Sequence, residues 1–134
     1  MQKAKLILAL VPLTHNRVYP DSYEHLGLCS LAAMVRKEQF DCTVFDGFFL
    51  KLSYDDFVNE LLNIVSNEIH YIVGFSVMAE EFLDGTLRAI KLLKNKCSNL
   101  TIIAGGMYPT WKAKEILYQY PEIDYILRGE ADYS

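Results

Sequence analysis

Short apolar runs alternate with segments of helical periodicity along the chain, and this alternation restricts the fold more than any other feature. Five runs have the length of strands and lie at Lys5–Val11, Cys42–Phe45, Tyr71–Phe75, Thr101–Ala104 and Tyr125–Leu127. Four intervening segments carry apolar residues at helical spacing and lie at Tyr23–Lys37, Tyr54–Ser66, Glu80–Lys94 and Lys112–Tyr118. Ser53 and Asp56 are predicted to cap the second of these helices. This pattern predicts a parallel sheet covered by helices on both faces.

A doubly wound α/β sheet of this size favours the flavodoxin-like, Rossmann-like strand order 2-1-3-4-5. Ligands of such sheets bind beyond the carboxyl ends of the strands, where the strand order reverses. The loops expected at that edge are Pro12–Asp21, Ser76–Ala79 and Gly105–Thr110. The first loop is longer than the ~2–6 residues usual for such connections, which favours a binding role over an incidental insertion.

Composition agrees with a single folded domain that binds neither nucleic acid nor membrane. The chain has 134 residues, 51% of them apolar, which is enough for a core. The net charge of −4 and the scattered basic residues argue against a nucleic-acid partner. No apolar run approaches the ~20 residues that cross a membrane. Cys29, Cys42 and Cys97 are odd in number and far apart, which predicts reduced thiols and a cytoplasmic protein.

Small residues mark the ends of the third and fourth strands. Gly74 lies late in its strand, where a missing side chain permits close approach. Ser76 either donates a hydrogen bond to a ligand or caps the next helix. Gly105-Gly106 either forms an open ledge for a large flat ligand or makes a tight turn with Thr110 as helix cap.

Three common occupants of this fold do not match the residues. A phospho-receiver domain needs acidic residues after the first strand and an aspartate after the third, where this chain has Leu13-Thr14 and Ser76-Val77. The segment Pro12–Arg17 is unlike the phosphate loop of a flavodoxin. A Rossmann enzyme needs the fingerprint GxGxxG, which follows no strand here. Asp46 is therefore interpreted as a turn residue rather than a ribose ligand.

Taken together, the segments resemble the N-terminal cobalamin (vitamin B12)-binding domain of cobalamin-dependent radical SAM enzymes. The family has a proline loop and a characteristic helix after strand one, an aspartate after strand two, vGfS at strand three, GG…T at strand four and D.i.rGE at the end. The matching residues are Tyr19-Pro20 with HLGLCSLAAMVRK, Asp46, Val73–Ser76, Gly105-Gly106 with Thr110, and Asp124, Ile126, Arg128, Gly129 and Glu130. The match covers nearly the whole chain in the right order.

The resemblance implies cobalamin as the cofactor, with its nucleotide tail between the Ser76 loop and Gly105-Gly106. The corrin would lie over the first loop and the start of the first helix. The cofactor-binding residues it implies are Pro12, Leu13, Thr14, Gly27, Ser76, Val77, Met78, Gly105, Gly106, Met107, Tyr108, Thr110, Gly129 and Glu130. No catalytic residue is assigned. On this arrangement we expect Gly106→Val to block the tail and, if φ at this residue is negative, to leave the fold intact.

The histidines do not follow the pattern that binds cobalt. Cobalamin mutases and methionine synthase carry DxHxxG after strand one, whereas Asp21, His25 and Gly27 have the spacing DxxxHxG. The radical SAM branch commonly lacks that histidine. The resemblance therefore implies no protein ligand below the cobalt, and whether His15 or His25 approaches it stays open. His70, before the third strand, is predicted to be a surface residue.

The cysteines cannot form the CxxxCxxC motif that holds a 4Fe–4S cluster in radical SAM cores. The resemblance therefore implies that residues 1–134 are one cobalamin-binding domain of a longer protein, with the radical SAM core following Ser134 in cis. That core would hold the cluster and S-adenosylmethionine and transfer a methyl group to an unactivated centre, while this domain alone is not an enzyme. The alternatives are a stand-alone cobalamin sensor or interaction module, and an unrelated domain of the same fold.

Overall fold

The computed structural model describes residues 4–12 and 26–129. The strands are β1 (Lys5–Leu10), β2 (Cys42–Asp46), β3 (Tyr71–Ser76), β4 (Leu100–Gly105) and β5 (Tyr125–Leu127). The helices are α1 (Leu26–Lys37), α2 (Tyr54–Ile64), α3 (Leu83–Lys96) and α4 (Met107–Gln119), with a 3-10 turn at Glu80–Phe82. Each predicted strand and helix is present in the predicted order. The span of α4 consists of two helical parts joined by a kink at Lys112, so the predicted helix Lys112–Tyr118 corresponds to the second part, and the first part, from Met107, was not expected.

The five strands form one parallel sheet in the order β2-β1-β3-β4-β5, which confirms the predicted fold class. The order reverses between β1 and β3, so the connections that leave the carboxyl ends of these two strands run to opposite sides at the expected binding edge. Gly74 lies opposite Leu8 in the register, and Ser76 lies opposite Gly105. An ideal Cβ on Gly74 would approach Leu8 Cδ2 to 3.1 Å, so this glycine makes room for the neighbouring strand.

The helices are divided unequally between the two faces of the sheet. The connections into β3, β4 and β5 run in one direction and the connection into β2 runs in the other. Right-handed crossovers therefore place α2, α3 and α4 on one face, here called the three-helix face, and α1 on the other, the α1 face. Phe45 of β2 stacks on Phe57 of α2 with 4.8 Å between ring centroids, which anchors α2 to the three-helix face.

Local signals explain how α1 and α2 begin and end. Ser53 Oγ accepts a hydrogen bond of 3.1 Å from the Asp56 amide, which confirms the predicted cap of α2. The face of α2 that carries Phe57, Val58 and Leu61 is buried. At the end of α1, the Arg36 guanidinium donates two hydrogen bonds to the Cys42 carbonyl, at 2.7 and 3.0 Å, and so ties the helix to β2. Among the described residues, no helix is long and apolar enough to cross a membrane.

The amino-terminal edge of the sheet is held by side chains that bind backbone. Asp124 Oδ2 accepts from Lys94 Nζ at 2.9 Å and from the Ile102 amide at 2.8 Å. Lys94 Nζ also donates to the Leu100 carbonyl at 2.9 Å. His70, which we expected on the surface, is half-buried, with its ring nitrogens 2.7 Å from Asn99 Oδ1 and 2.9 Å from Thr101 Oγ1. This edge is therefore a structural joint.

Removing the Asp124 carboxylate tests that joint. We expect Asp124→Ala to lower the free energy of unfolding by about 1–3 kcal/mol, because the Ile102 amide loses its acceptor and the Lys94 ammonium loses one of two. Asp124→Asn, which keeps one oxygen acceptor, should cost less. Urea unfolding followed by circular dichroism measures both values. Equal stability of Asp124→Ala and the wild type would show that solvent replaces the carboxylate.

Candidate functional site

The end of β3 is clasped by the turn that joins β4 to α4. The Val77 amide donates to the Gly105 carbonyl at 2.8 Å, and the Val77 carbonyl accepts from the Tyr108 amide at 3.2 Å. Because both bonds use the backbone of one residue, the segment that follows β3 cannot shift without breaking them. The structure thus brings together two groups of predicted site residues, 76–78 and 105–108.

Gly106 makes this clasp sterically possible. Its φ is +107°, a backbone conformation that residues other than glycine rarely adopt. An ideal Cβ there would lie 2.9 Å from the Val77 carbonyl oxygen and 3.2 Å from its nitrogen. Gly106→Val was expected to leave the fold intact only at a negative φ, and this condition is not met. The missing side chain of Gly106 makes room for backbone of the same chain.

Thr110 lies inside the first turns of α4, and Gly106 is the residue that precedes the helix. The alternative in which Thr110 caps the helix is therefore wrong. The Thr110 hydroxyl donates to the Gly106 carbonyl at 2.8 Å and accepts from the Gly129 amide at 3.0 Å. This hydroxyl brings Gly129, another predicted site residue, to the same turn.

Three small residues share the α1 face at the carboxyl ends of β3 and β4. They are Gly74, Ser76 and Gly105: Gly74 and Ser76 lie two residues apart on β3, and Ser76 lies opposite Gly105 of β4. Ser76 closes β3, and the residue that precedes the 3-10 turn is Ala79, so the alternative in which Ser76 caps the next helix is wrong. Gly105 is half-buried, and a Cβ there would be in ordinary contact with Leu127. Side-chain bulk is low where the predicted ligand would reach the sheet.

The exit from β1 is positioned by a glycine that sequence reasoning missed. The Gly47 amide donates to the Leu10 carbonyl at 2.9 Å. A Cβ on Gly47 would lie 2.8 Å from Pro12 Cδ and 2.4 Å from Phe57 Cδ2, so Pro12 can pack there only over glycine. Its only signal in the sequence is its place directly after Asp46. Asp46 Oδ1 accepts from the Phe49 amide at 3.0 Å, as expected of a turn residue.

Of the other described site residues, Pro12 and Gly27 lie apart from the clasp, whereas Met78 and Met107 flank it. Pro12 is buried on the β2 side of the edge, and Gly27 is exposed in the first turn of α1. Met107 is exposed at the start of α4 and Met78 is exposed after β3, so both present apolar surface at the edge. The remaining predicted residues, Leu13, Thr14 and Glu130 with the histidines His15 and His25, lie outside the described ranges.

The described residues contain no group of three or more histidine, cysteine, aspartate or glutamate side chains that could hold a metal ion. The three cysteines are free, and only Cys29 is exposed. Burial raises the pKa of the Cys42 thiol, although the nearby Arg36 guanidinium acts in the opposite direction. This shift favours the protonated form of the Cys42 thiol.

The strand order and the small residues at the carboxyl edge define an α/β domain of the class whose members bind ligands at the switch point of the sheet. The family model of the B12 binding domain matches residues 16–134. The chain therefore belongs to the B12-binding domain family, which confirms the predicted resemblance and with it the predicted cofactor, cobalamin.

Curated relatives share this region but are much longer. The chain is 30% identical over 134 residues to an uncharacterized methyltransferase of Pyrococcus horikoshii, with 98% of this chain and 28% of the relative covered. It is 26% identical over 121 residues to the anaerobic magnesium-protoporphyrin IX monomethyl ester cyclase of Synechocystis, with 90% and 24% covered. The chain thus spans about a quarter of the length of these relatives.

Solved structures with the same fold include two cobalamin-dependent enzymes. The radical S-adenosylmethionine methyltransferase TsrM of Kitasatospora setae, with cobalamin and a [4Fe-4S] cluster bound, superposes with a TM-score of 0.73 at 18% identity, covering 98% of this chain and 25% of that one. The cobalamin-dependent S-adenosylmethionine radical enzyme OxsB, with aqua-cobalamin and S-adenosylmethionine bound, gives 0.68 at 21% identity, covering 96% and 17%. At these identities the likeness establishes the fold.

A pair of adjacent glycines tests the geometry of the turn. We expect Gly106→Ala to destabilise the domain by about 2–4 kcal/mol, since it adds a positive-φ penalty to a backbone clash. Gly105→Ala is the matched control and should stay within about 0.5 kcal/mol of the wild type, because its Cβ has space. Chemical unfolding of both variants measures the difference. Equal stabilities would mean that the turn readily adopts another conformation.

Proposed function

We propose that this domain is the cobalamin-binding module of a cobalamin-dependent radical SAM enzyme. Its role is to hold the corrin against a catalytic domain of the same polypeptide. The observation that carries the proposal is the clasp around Val77, which gathers predicted contact residues from three segments at the carboxyl edge of a B12-binding fold.

The residues at this edge fit a large flat cofactor with a nucleotide tail. We place the tail along the α1 face at Ser76 and Gly105, where side chains are small. We place the corrin beyond the strand ends, where Met78 and Met107 offer exposed apolar surface. Bound cobalamin supplies methyl-transfer chemistry at its cobalt, while the residues of this chain bind and orient it. The only metal we assign to this domain is that cobalt.

The full protein is proposed to be a methyltransferase-like enzyme with this domain, residues 1–134, ahead of its radical SAM core. The 4Fe–4S cluster and S-adenosylmethionine belong to that core. The relatives support this arrangement, since the chain covers 17–28% of the enzymes that it matches. They favour the module of an enzyme over a stand-alone sensor. Three unpaired cysteines agree with a reducing cytoplasm.

Titration with hydroxocobalamin tests the binding site. Trp111 is the chain's single tryptophan, 81% exposed and one turn beyond Met107, so a corrin at this edge should quench its fluorescence. We expect the quenching of tryptophan fluorescence to saturate at one cofactor per chain, together with a change in the visible spectrum of the cofactor. Free N-acetyltryptophanamide corrects for light absorbed by the corrin.

A matched pair of methionines locates the site within the same titration. Met78→Lys should weaken binding about five- to tenfold, because it places a charge at the proposed corrin contact. Met34→Lys is the control, since Met34 is similarly exposed but lies near the opposite edge of the sheet. Equal affinities for both variants would place the corrin elsewhere. Absence of binding in both the 134-residue chain and the full-length protein would overturn the proposed function.

Cobalt ligation provides a separate prediction. The DxHxxG spacing is not met, so we propose that no histidine of this chain binds the cobalt from below. His15→Ala, His25→Ala and the double variant should leave the visible spectrum and the affinity of bound cobalamin nearly unchanged. A clear spectral change in either single variant would show imidazole coordination and contradict the proposal.

A further inference from the structure

We propose that Thr110 is a positioning residue that joins the β4–α4 turn to the end of β5, rather than a contact to the cofactor. The sequence resemblance places this threonine among the cofactor contacts. Its hydrogen bonds assign it a different task. The inference rests on the proposed function for its effect on cobalamin affinity, but the joint itself can be tested without cofactor.

The Thr110 hydroxyl already makes two hydrogen bonds within the domain. A hydroxyl has one proton to donate, and here that proton goes to the Gly106 carbonyl at 2.8 Å. One lone pair accepts from the Gly129 amide at 3.0 Å. Thr110 could therefore donate to a ligand only by releasing Gly106. The threonine amide also donates to the Gly106 carbonyl, at 3.2 Å, so this carbonyl anchors both groups.

This joint extends the sheet beyond its last regular pair. β5 is only three residues long, and its ladder with β4 ends where Leu127 lies opposite Gly105. Gly129 follows with a φ of +75° and is exposed. Among the described residues, its chain neighbours aside, no heavy atom lies within 4 Å of its ideal Cβ, so no described side chain packs at this position. The bond from its amide to Thr110 therefore sets the separation of the Gly105–Gly106 turn from the chain that leaves β5.

Two substitutions at Thr110 separate the hydroxyl from the shape of the side chain. Thr110→Val keeps the shape and removes the hydroxyl, whereas Thr110→Ser keeps the hydroxyl. Thr101→Val is the matched control, because it removes a threonine hydroxyl at the opposite edge of the sheet, where it pairs with His70. The first measurement is hydrogen exchange of the Gly129 amide by NMR, without cofactor. The second is hydroxocobalamin affinity from the same titration as above.

We expect Thr110→Val to speed exchange of the Gly129 amide at least about tenfold and to weaken cobalamin binding about five- to tenfold. Thr110→Ser should restore both to within about twofold of the wild type, and Thr101→Val should change neither. Normal exchange at Gly129 with weakened binding in Thr110→Val would show that the hydroxyl contacts the cofactor, and would overturn the proposal. Unchanged exchange and unchanged affinity would overturn it as well.

Failure of the proposed function gives a different result. If the wild type does not bind cobalamin while Gly129 protection still depends on the Thr110 hydroxyl, the joint is supported and the cobalamin proposal is not.

Discussion

The two backbone hydrogen bonds of Val77 are the contact on which the carboxyl edge of the sheet depends. They hold the segment after β3 against the turn after β4, so that residues distant in sequence become neighbours. The contact requires Gly106 for two reasons. A Cβ at this position would clash with the Val77 backbone, and the φ of +107° is one that other residues rarely adopt. Thr110 then ties the same turn to Gly129. Three strand ends are thereby joined through hydrogen bonds around one small turn.

The two edges of the sheet differ in role: the amino-terminal edge is a structural joint, and the carboxyl edge carries the candidate site. At the amino-terminal edge, Asp124 and Lys94 saturate backbone groups of β4, and His70 pairs with side chains of neighbouring segments. The sequence motif that closes the chain spans both edges. Its aspartate, Asp124, belongs to the structural joint, whereas its glycine, Gly129, reaches the candidate site. Residues of one family motif therefore perform different physical tasks.

Most of the fold and part of the site were predictable from local patterns. Apolar runs and helical periodicity predicted the strand order, and Ser53 with Asp56 predicted a cap that the structure contains. Errors arose where function depends on a dihedral angle or a distant partner. The Gly105-Gly106 pair was recognised, but which glycine meets backbone could not be read from it. Gly47 was missed because its constraint comes from Pro12 and Phe57, far from it in sequence.

The sequence by itself determined the class of fold and the family, and it indicated the carboxyl edge of the sheet as the candidate binding edge. Periodicity, turn residues and motif order are local properties, and each is written in consecutive residues. Only the tertiary structure decided that Gly106 accommodates Val77 and that Asp124 lies at the amino-terminal edge. It also decided that the Thr110 hydroxyl forms hydrogen bonds with Gly106 and Gly129. The reason is that hydrogen bonds and steric contacts between neighbouring strands and turns arise only when the sheet has formed, and no local pattern specifies them.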